Sequence, residues 1–256
     1  MKTEGGPAGP RGELSLKRNR FFLFPVGEGR RRKLRIALGR SILSCFFWVS
    51  LFGARAEEPW QGALSQMPLR GKAEQLNQTN CVHLLLMSFQ SNRFVKALVI
   101  MPGATDELYL WRRVTAQMRP AAQPSLLDAL AALTNQTRLQ VTFRTPFLLV
   151  YVAGESLEPR AEVEDVPTAQ ELKAARFKPW QCLEDSDWDA VQPVLSWSLK
   201  LEIRPWRYRA DSWHFYRQNI AAWGLNGWEA VEAVALASKT RFTVGRKRVT
   251  FALNAR

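Results

Sequence analysis

Histidines and acidic residues are the side chains of this 256-residue chain whose types could bind a metal or transfer protons. The chain has only two histidines, His83 and His214, set in an apolar run and among aromatic residues. We predict a partly buried, hydrogen-bonded role for each rather than metal ligation. The acidic run EDSDWD (184–189) lacks the glycine and ligand spacing of a calcium loop and is predicted to begin a short helix, capped by Asp185 or Ser186. The sequence therefore predicts no metal site and no cofactor.

The sharpest enzyme hypothesis for this sequence is an α/β-hydrolase. The stretch ALVIMPGATDELYLW (97–111) is similar to an early strand with an oxyanion loop, and Glu155 and His214 could serve as acid and base. However, no G-x-S-x-G motif occurs, so no serine is placed on the strained strand-to-helix turn that activates it. We therefore predict no catalytic residue and a non-enzymatic protein.

The net charge of +13 is concentrated near the start of the chain. Residues 1–56 hold 12 Lys/Arg and 3 Asp/Glu, which leaves 24 basic and 20 acidic residues over the remaining chain. That balance is ordinary for a soluble surface and does not indicate nucleic-acid binding. We predict no nucleic-acid partner.

The basic segment belongs to a pattern typical of secretory signal peptides. RRRKLR (30–35) is a cationic region, SILSCFFWVSLFG (41–53) is an uncharged apolar run, and Ala54 and Ala56 are small residues at the two positions that a signal peptidase recognises. Residues 1–56 are predicted to be a disordered extension plus signal peptide, cleaved after Ala56, and the protein to be exported to the periplasm or outside the cell. An uncleaved N-terminal anchor is the alternative, and the leader would then be the only membrane contact.

Only Cys81 and Cys182 remain after that cleavage. An even pair of cysteines in an exported protein allows one disulfide. Two reduced, buried cysteines are the alternative. Because no C-x-x-C motif occurs, neither a structural zinc site nor a thioredoxin-type redox motif is indicated.

The chain after residue 56 is predicted to fold as α+β, in two related units that each pack one helix on a few mostly antiparallel strands. An irregular entry segment (57–80) precedes the first unit (81–153). A charged, proline-containing linker (154–180), in which a short helix is allowed, separates it from the second (181–256). Strands are predicted at 81–89, 94–101, 108–116, 139–143, 147–152, 194–203, 241–244 and 248–253. For 108–116 the start of a helix is the alternative.

A capping box marks the helix of each unit. Ser125 with Asp128 and Asn226 with Glu229 have the spacing of a cap and its reciprocal partner, and an apolar stripe follows each pair. The caps lie 101 residues apart (226 − 125), whereas the two Thr-Arg pairs that follow lie 103 apart (240 − 137). This difference predicts a two-residue insertion near the end of the second helix.

The first helix and the strand after it, SLLDALAALTNQTRLQVTF (125–143), resemble the core of the short N-terminal domain of secretins and TonB-dependent receptors. GWEAVEAVALASKTRFTVGRKRVTFAL (227–253) fits the same outline, although Arg138 and Arg241 occupy the turn where that family usually has glycine. Such domains bind other envelope proteins. The resemblance therefore implies an envelope or periplasmic protein-interaction module whose partner is an unidentified envelope protein.

Aromatic and basic residues of the second unit provide an alternative function. They could form a stacking face for a carbohydrate or another small ligand, with a tryptophan-rich core and a solvated cationic strand end as the structural explanation. The candidate residues are Trp206, Arg207, Tyr208, Trp213 and His214.

Overall fold

The computed structural model describes residues 58–71, 74–77, 79–101, 115–119, 121, 123–154, 156–159, 161–204 and 217–253. All of them belong to one compact unit, Ala56–Arg256. In these ranges the helices α1 to α6 occupy Pro59–Ser65, Cys81–Ser88, Leu126–Gln136, Val166–Ala174, Trp188–Leu199 and Gly227–Ala237. The strands β1 to β11 occupy Gln75–Asn77, Ala97–Ile100, Thr115–Gln117, Leu139–Arg144, Phe147–Val152, Ala161–Val163, Cys182–Ser186, Glu202–Arg204, Gln218–Ala222, Thr240–Gly245 and Arg248–Leu253.

The described strands form three sheets. Their orders are β4-β5-β2-β9-β7, β6-β10-β11-β8 and β1-β3. Strand pairs β2-β5, β8-β11 and β6-β10 are parallel, and the other pairs are antiparallel. The predicted α+β class with mostly antiparallel strands is confirmed.

The five-stranded sheet draws strands from both predicted units, so the predicted boundary between them is wrong. Strand β2 of the first half pairs with β9 of the second, from Ala97 opposite Ala222 to Ile100 opposite Asn219. Leu98 contributes to one buried cluster and Val99 to another, so both faces of the sheet are covered.

The segment predicted as a linker (154–180) is part of this core. It contains β6 and α4, and its buried apolar residues are Ala169, Leu172, Phe177 and Trp180. The entry segment predicted as irregular (57–80) likewise contains α1 and β1. Charge and proline content suggested solvated connections, but a few spaced apolar residues are enough to bury one face of a short helix.

Two predicted strands are helical. Residues 81–88 form α2, and residues 194–199 form the end of α5. Short apolar runs do not distinguish a strand from a buried helix, and periodicity could not separate the two here. The acidic run before α5 is also corrected, because Asp187 is the N-cap while Asp185 and Ser186 lie in β7.

The same order of elements occurs in each half of the described chain. The first half reads α1-β1-α2-β2-β3-α3-β4-β5, and the second reads α4-β7-α5-β8-β9-α6-β10-β11 after the extra strand β6. Each half therefore contains three helices rather than the predicted one. The predicted duplication stays a proposal about ancestry, and this recurrence supports it.

The last three elements of each half share a single spacing. α6, β10 and β11 begin 101 residues after α3, β4 and β5 (227 − 126, 240 − 139 and 248 − 147). The predicted two-residue insertion is therefore wrong, because Thr137 precedes its strand whereas Thr240 begins one. The turn residue equivalent to Arg138 is Lys239, which has a φ of 51°, rather than Arg241.

The equivalent helices are also held by equivalent backbone contacts. Pro68 forms an isolated antiparallel bridge with Ser125, and Arg176 forms one with Asn226. The N-cap of α3 and the N-cap of α6 are thus each tied to the chain that follows α1 or α4. Across the described ranges, no helix combines the length and apolar character needed to cross a membrane.

Candidate functional site

An open cleft of about 430 Å³ lies between helices α1 and α3 and strand β4. We call it the β4 cleft. None of the side chains that line it is charged, and most of them are apolar or aromatic. They are Trp60, Gln61, Leu127, Leu130, Ala131, Thr134, Leu139, Gln140, Val141, Thr142 and Tyr151.

Helix α3 supplies one wall of the cleft. Its start is fixed by the predicted capping box: Asp128 N donates to Ser125 Oγ over 3.2 Å, and Ser125 N donates to Asp128 Oδ2 over 2.8 Å. Leu127, Leu130 and Thr134 follow at helical spacing and so face the cleft together. The second predicted box, Asn226 with Glu229, is also confirmed at α6. In both helices the cap fixes the residue at which the helix begins, and this determines the direction in which the apolar stripe faces.

Helix α1 supplies the aromatic end of the cleft. The Trp60 ring stacks on the Phe143 ring with centroids 6.1 Å apart and planes 27° apart. Its Nε1 donates to the Glu58 carboxylate. Pro59 lies in the first turn of α1, where backbone N–H groups have no acceptor within the helix. Proline lacks an N–H, so the helix loses no hydrogen bond there. Trp60 is therefore fixed at the mouth of the cleft by a ring contact and a hydrogen bond.

Strand β4 lies at the end of its sheet, and among the described residues no strand pairs with its outer edge. Ala153 N donates to Arg138 O over 3.0 Å. Arg138 and every second residue after it therefore direct their backbone groups toward β5. Val141 and Phe143 lie at the intervening positions, so their N–H and C=O groups point outward, beside the cleft.

The equivalent region of the second half is filled. At the 101-residue spacing, Leu127 corresponds to Trp228 (228 − 127) and Val141 to Phe242 (242 − 141). The Trp228 and Phe242 rings pack edge to face with centroids 5.2 Å apart. The cleft is therefore the space that two smaller side chains leave open in the first half.

The equivalent strand edge is also covered in the second half. Strand β6 pairs in parallel with β10, with Ala161 opposite Phe242 and Val163 opposite Val244. Glu164 N extends this pairing by donating to Val244 O over 2.9 Å. Strand β6 thus occupies the outer edge that corresponds to the open edge of β4.

One ion pair joins the far end of β4 to the second half. Arg144 Nη2 lies 3.2 Å from Glu232 Oε1, and Arg144 Nη1 donates to Leu157 O over 2.9 Å. Burial raises the pKa of Glu232, the Arg144 charge opposes that rise, and the nearby Glu229 adds to it. Arg144 is therefore engaged outside the cleft, which keeps the cleft itself uncharged.

A second polar cluster lies where α2 meets β7. His83 Nδ1 lies 2.8 Å from Glu184 Oε2, and both side chains are exposed. Partial burial of the thiol and, to a smaller extent, the neighbouring Glu184 raise the pKa of Cys182, although the residue as a whole is exposed. A nucleophilic cysteine needs a lowered pKa, so this arrangement does not activate Cys182. His83 accordingly lies on a helix, exposed and hydrogen-bonded, rather than in the predicted strand.

The two cysteines predicted to form a disulfide, or to be reduced, are free thiols. Cys81 is fully buried at the start of α2, whereas Cys182 is exposed on β7. Burial raises the pKa of Cys81 to about 12.

The candidate stacking face lies outside the described residues, and the structure gives no account of it. Its members are Trp206, Arg207, Tyr208, Trp213 and His214. Glu155, considered as a hydrolase acid, is also outside the described residues. In the part of the chain that is described, no group of three or more histidine, cysteine and acidic side chains is placed to hold a metal ion.

The β4 cleft was not predicted from the sequence, although a signal for it exists. That signal is the replacement of Trp228 and Phe242 by smaller residues in the first half. It is visible only at the 101-residue spacing. The Thr-Arg match shifted the strand alignment by two residues and paired Val141 with Val244, which hid the difference in size.

Comparisons of the chain with protein-family models, with curated proteins and with solved structures found no match in any of the three.

Proposed function

We propose that this chain is an exported, non-enzymatic protein-interaction module of the cell envelope or periplasm, and that the β4 cleft binds its partner. The observation that carries the proposal is an uncharged, largely apolar cleft beside a strand edge that none of the described strands covers. Clefts of this kind accept polypeptide, because strand edges bind backbone and the adjacent pocket selects side chains. An unpaired edge is otherwise a site of unwanted association, which proteins usually cover.

Two further features support the proposal. The basic, apolar and Ala-Arg-Ala segments of the leader support export. The helix-then-strand order at α3-β4 and α6-β10 supports the resemblance to the short N-terminal domain of secretins and TonB-dependent receptors. That resemblance implies binding to another envelope protein.

Peptide selection tests the interaction. A phage-displayed library of linear peptides is selected on the full-length protein, and binding is then measured on two variants. Leu127→Trp introduces the residue that fills the equivalent space in the second half, and Val166→Trp places the same side chain at an exposed position of α4. We expect peptides that bind the wild-type protein and Val166→Trp but not Leu127→Trp. Recovery of only those peptides that bind all three proteins equally would contradict the proposal.

Export is tested separately. Cells that express the full-length gene are fractionated, and the N-terminus of the mature protein is sequenced. We expect a mature protein outside the cytoplasm that begins at Glu57. An intact cytoplasmic protein that begins at Met1 would contradict the export proposal and leave the cleft proposal standing.

A further inference from the structure

We infer that the β4 cleft binds an uncharged, extended segment of a partner polypeptide, which runs parallel to β4 and pairs with its outer edge at Val141 to Phe143. This inference rests on the proposed function and specifies how the partner binds. Its template is strand β6, which covers the equivalent edge of β10 in parallel.

Backbone pairing follows from the equivalence of β4 and β10. The outward N–H and C=O groups of Val141 and Phe143 correspond to those of Phe242 and Val244, which face β6. In the template, Glu164 N and Asp165 N both donate to Val244 O, over 2.9 and 3.1 Å. A partner segment in the same direction would make the corresponding bonds to Phe143 O.

Side-chain preference follows from the size difference between the halves. The small and exposed Ala161 lies opposite Phe242 in the template, beside the space that the Trp228 and Phe242 rings fill. Val141 is smaller than Phe242, and the open cleft adjoins it. The first paired residue of the partner is therefore a large apolar side chain that enters the cleft.

Charge distinguishes the partner from β6. The middle residue of β6, Glu162, accepts from Thr243 Oγ1 over 3.3 Å and lies 3.8 Å from Arg241. At the 101-residue spacing, Arg241 corresponds to Gln140 (241 − 101), which lines the cleft. Because Gln140 carries no charge that could pair with an acid as Arg241 does, the middle residue of the partner is uncharged. The motif is therefore a large apolar residue, an uncharged residue and a second apolar residue.

Orientation and backbone pairing are tested on the cleft-dependent peptides from the selection. Each peptide is made with a nitroxide at its N- or C-terminus, and line broadening is measured on backbone amides of the full-length, isotopically labelled protein. We expect the N-terminal label to broaden Leu139 and the C-terminal label to broaden Arg144. N-methylation of a peptide nitrogen that bonds β4 is expected to weaken binding about tenfold, and methylation of the intervening nitrogen to have little effect.

The outcomes separate this inference from the proposed function. Cleft-dependent peptides with the reverse broadening pattern, with acidic middle residues or without sensitivity to N-methylation would overturn the inference and leave the proposed function standing. A library that returns no cleft-dependent peptide contradicts both. If the wild-type protein self-associates and Leu127→Trp restores the monomer, the occupant is a second copy, and a foreign partner is excluded.

Discussion

Trp228 packs edge to face against Phe242 with ring centroids 5.2 Å apart. Lys173 Nζ lies 5.0 Å from the centre of the same indole ring. In the second half, the Trp228 and Phe242 rings fill the space that is open as the β4 cleft in the first half. One helix-and-hairpin arrangement therefore exists in a closed and an open form within the same chain.

The closed form is expected to depend on this pair for stability. Trp228→Leu removes the ring contact and much of the buried area, which should lower the free energy of unfolding by about 1–3 kcal/mol. Denaturant titration measures the change. Trp197→Leu is the matched control: this side chain is 81% exposed on α5, so its loss should change stability by less than about 0.5 kcal/mol. Equal losses in the two variants would show that the aromatic pair contributes nothing specific.

Differential alkylation is expected to separate the two cysteines. Cys182 is exposed and should be modified by iodoacetamide in the folded protein, whereas Cys81 is fully buried with its pKa raised to about 12. Only the thiolate reacts, and the pKa of Cys182 is raised too, so Cys182 should react slowly and the buried Cys81 only after unfolding. Peptide mapping assigns each site, and Cys182→Ser should leave the protection of Cys81 unchanged. A mapped peptide in which Cys81 and Cys182 are linked would establish the disulfide instead.

Local signals made part of the fold predictable. Ser125 and Asn226 are followed at the right spacing by acidic residues, and the cap, the helix and the hairpin after it are all encoded within about 30 neighbouring residues. Long-range pairing was not predictable in the same way. The contact of Ala97 with Ala222 joins strands far apart in the chain, and no local pattern specifies which edge a strand joins.

The cleft escaped prediction for a different reason. It is defined by side chains that are small relative to their counterparts, and the first half alone shows nothing unusual about Leu127 or Val141. Only the comparison with the second half, at the 101-residue spacing, shows that Trp228 and Phe242 are larger. A site that is formed where side chains are small can be recognised in the sequence only if the two halves are aligned correctly. The chance Thr-Arg match shifted that alignment by two residues.

The capping box of α3 is expected to contribute stability that is lost in acid. The hydrogen bonds with Ser125 hold the pKa of Asp128 below its usual range. Because the folded-state pKa is lowered, this contribution is present above the unfolded-state pKa and disappears as the pH falls through the folded-state value. Asp128→Asn should therefore be less stable than the wild type at neutral pH, with a difference that closes in acid. Urea titrations across that range measure it, and a pH-independent difference would contradict the mechanism.

The loss of the cap itself is measured by a companion variant. Ser125→Ala removes the acceptor for Asp128 N and should cost about 1 kcal/mol at neutral pH. Asn226→Ala makes the equivalent change at α6, where Asn226 Oδ1 accepts from Glu229 N over 2.8 Å. Similar losses in the two variants are expected if the halves use their caps in the same way.

Gln136 is expected to protect the edge of β3. Its Oε1 accepts from Gln117 N and its Nε2 donates to Gln117 O, each over 2.9 Å. This amide therefore satisfies backbone groups that would otherwise be open to another strand, a common way of blunting an edge. Gln136→Ala should speed hydrogen exchange at the Gln117 amide about fivefold, because one hydrogen bond contributes about 1 kcal/mol.

Two further variants give this last experiment its specificity. Gln136→Glu retains an acceptor for Gln117 N and should keep most of the protection, although it cannot donate to Gln117 O. Gln140→Ala removes an exposed glutamine from β4 and should leave Gln117 exchange unchanged. If all three variants exchanged at the wild-type rate, Gln136 would not protect the edge. If Gln136→Ala alone also increased self-association, the Gln136 amide would explain how the edge of β3 that faces away from β1 is kept from pairing, while no described strand covers the outer edge of β4.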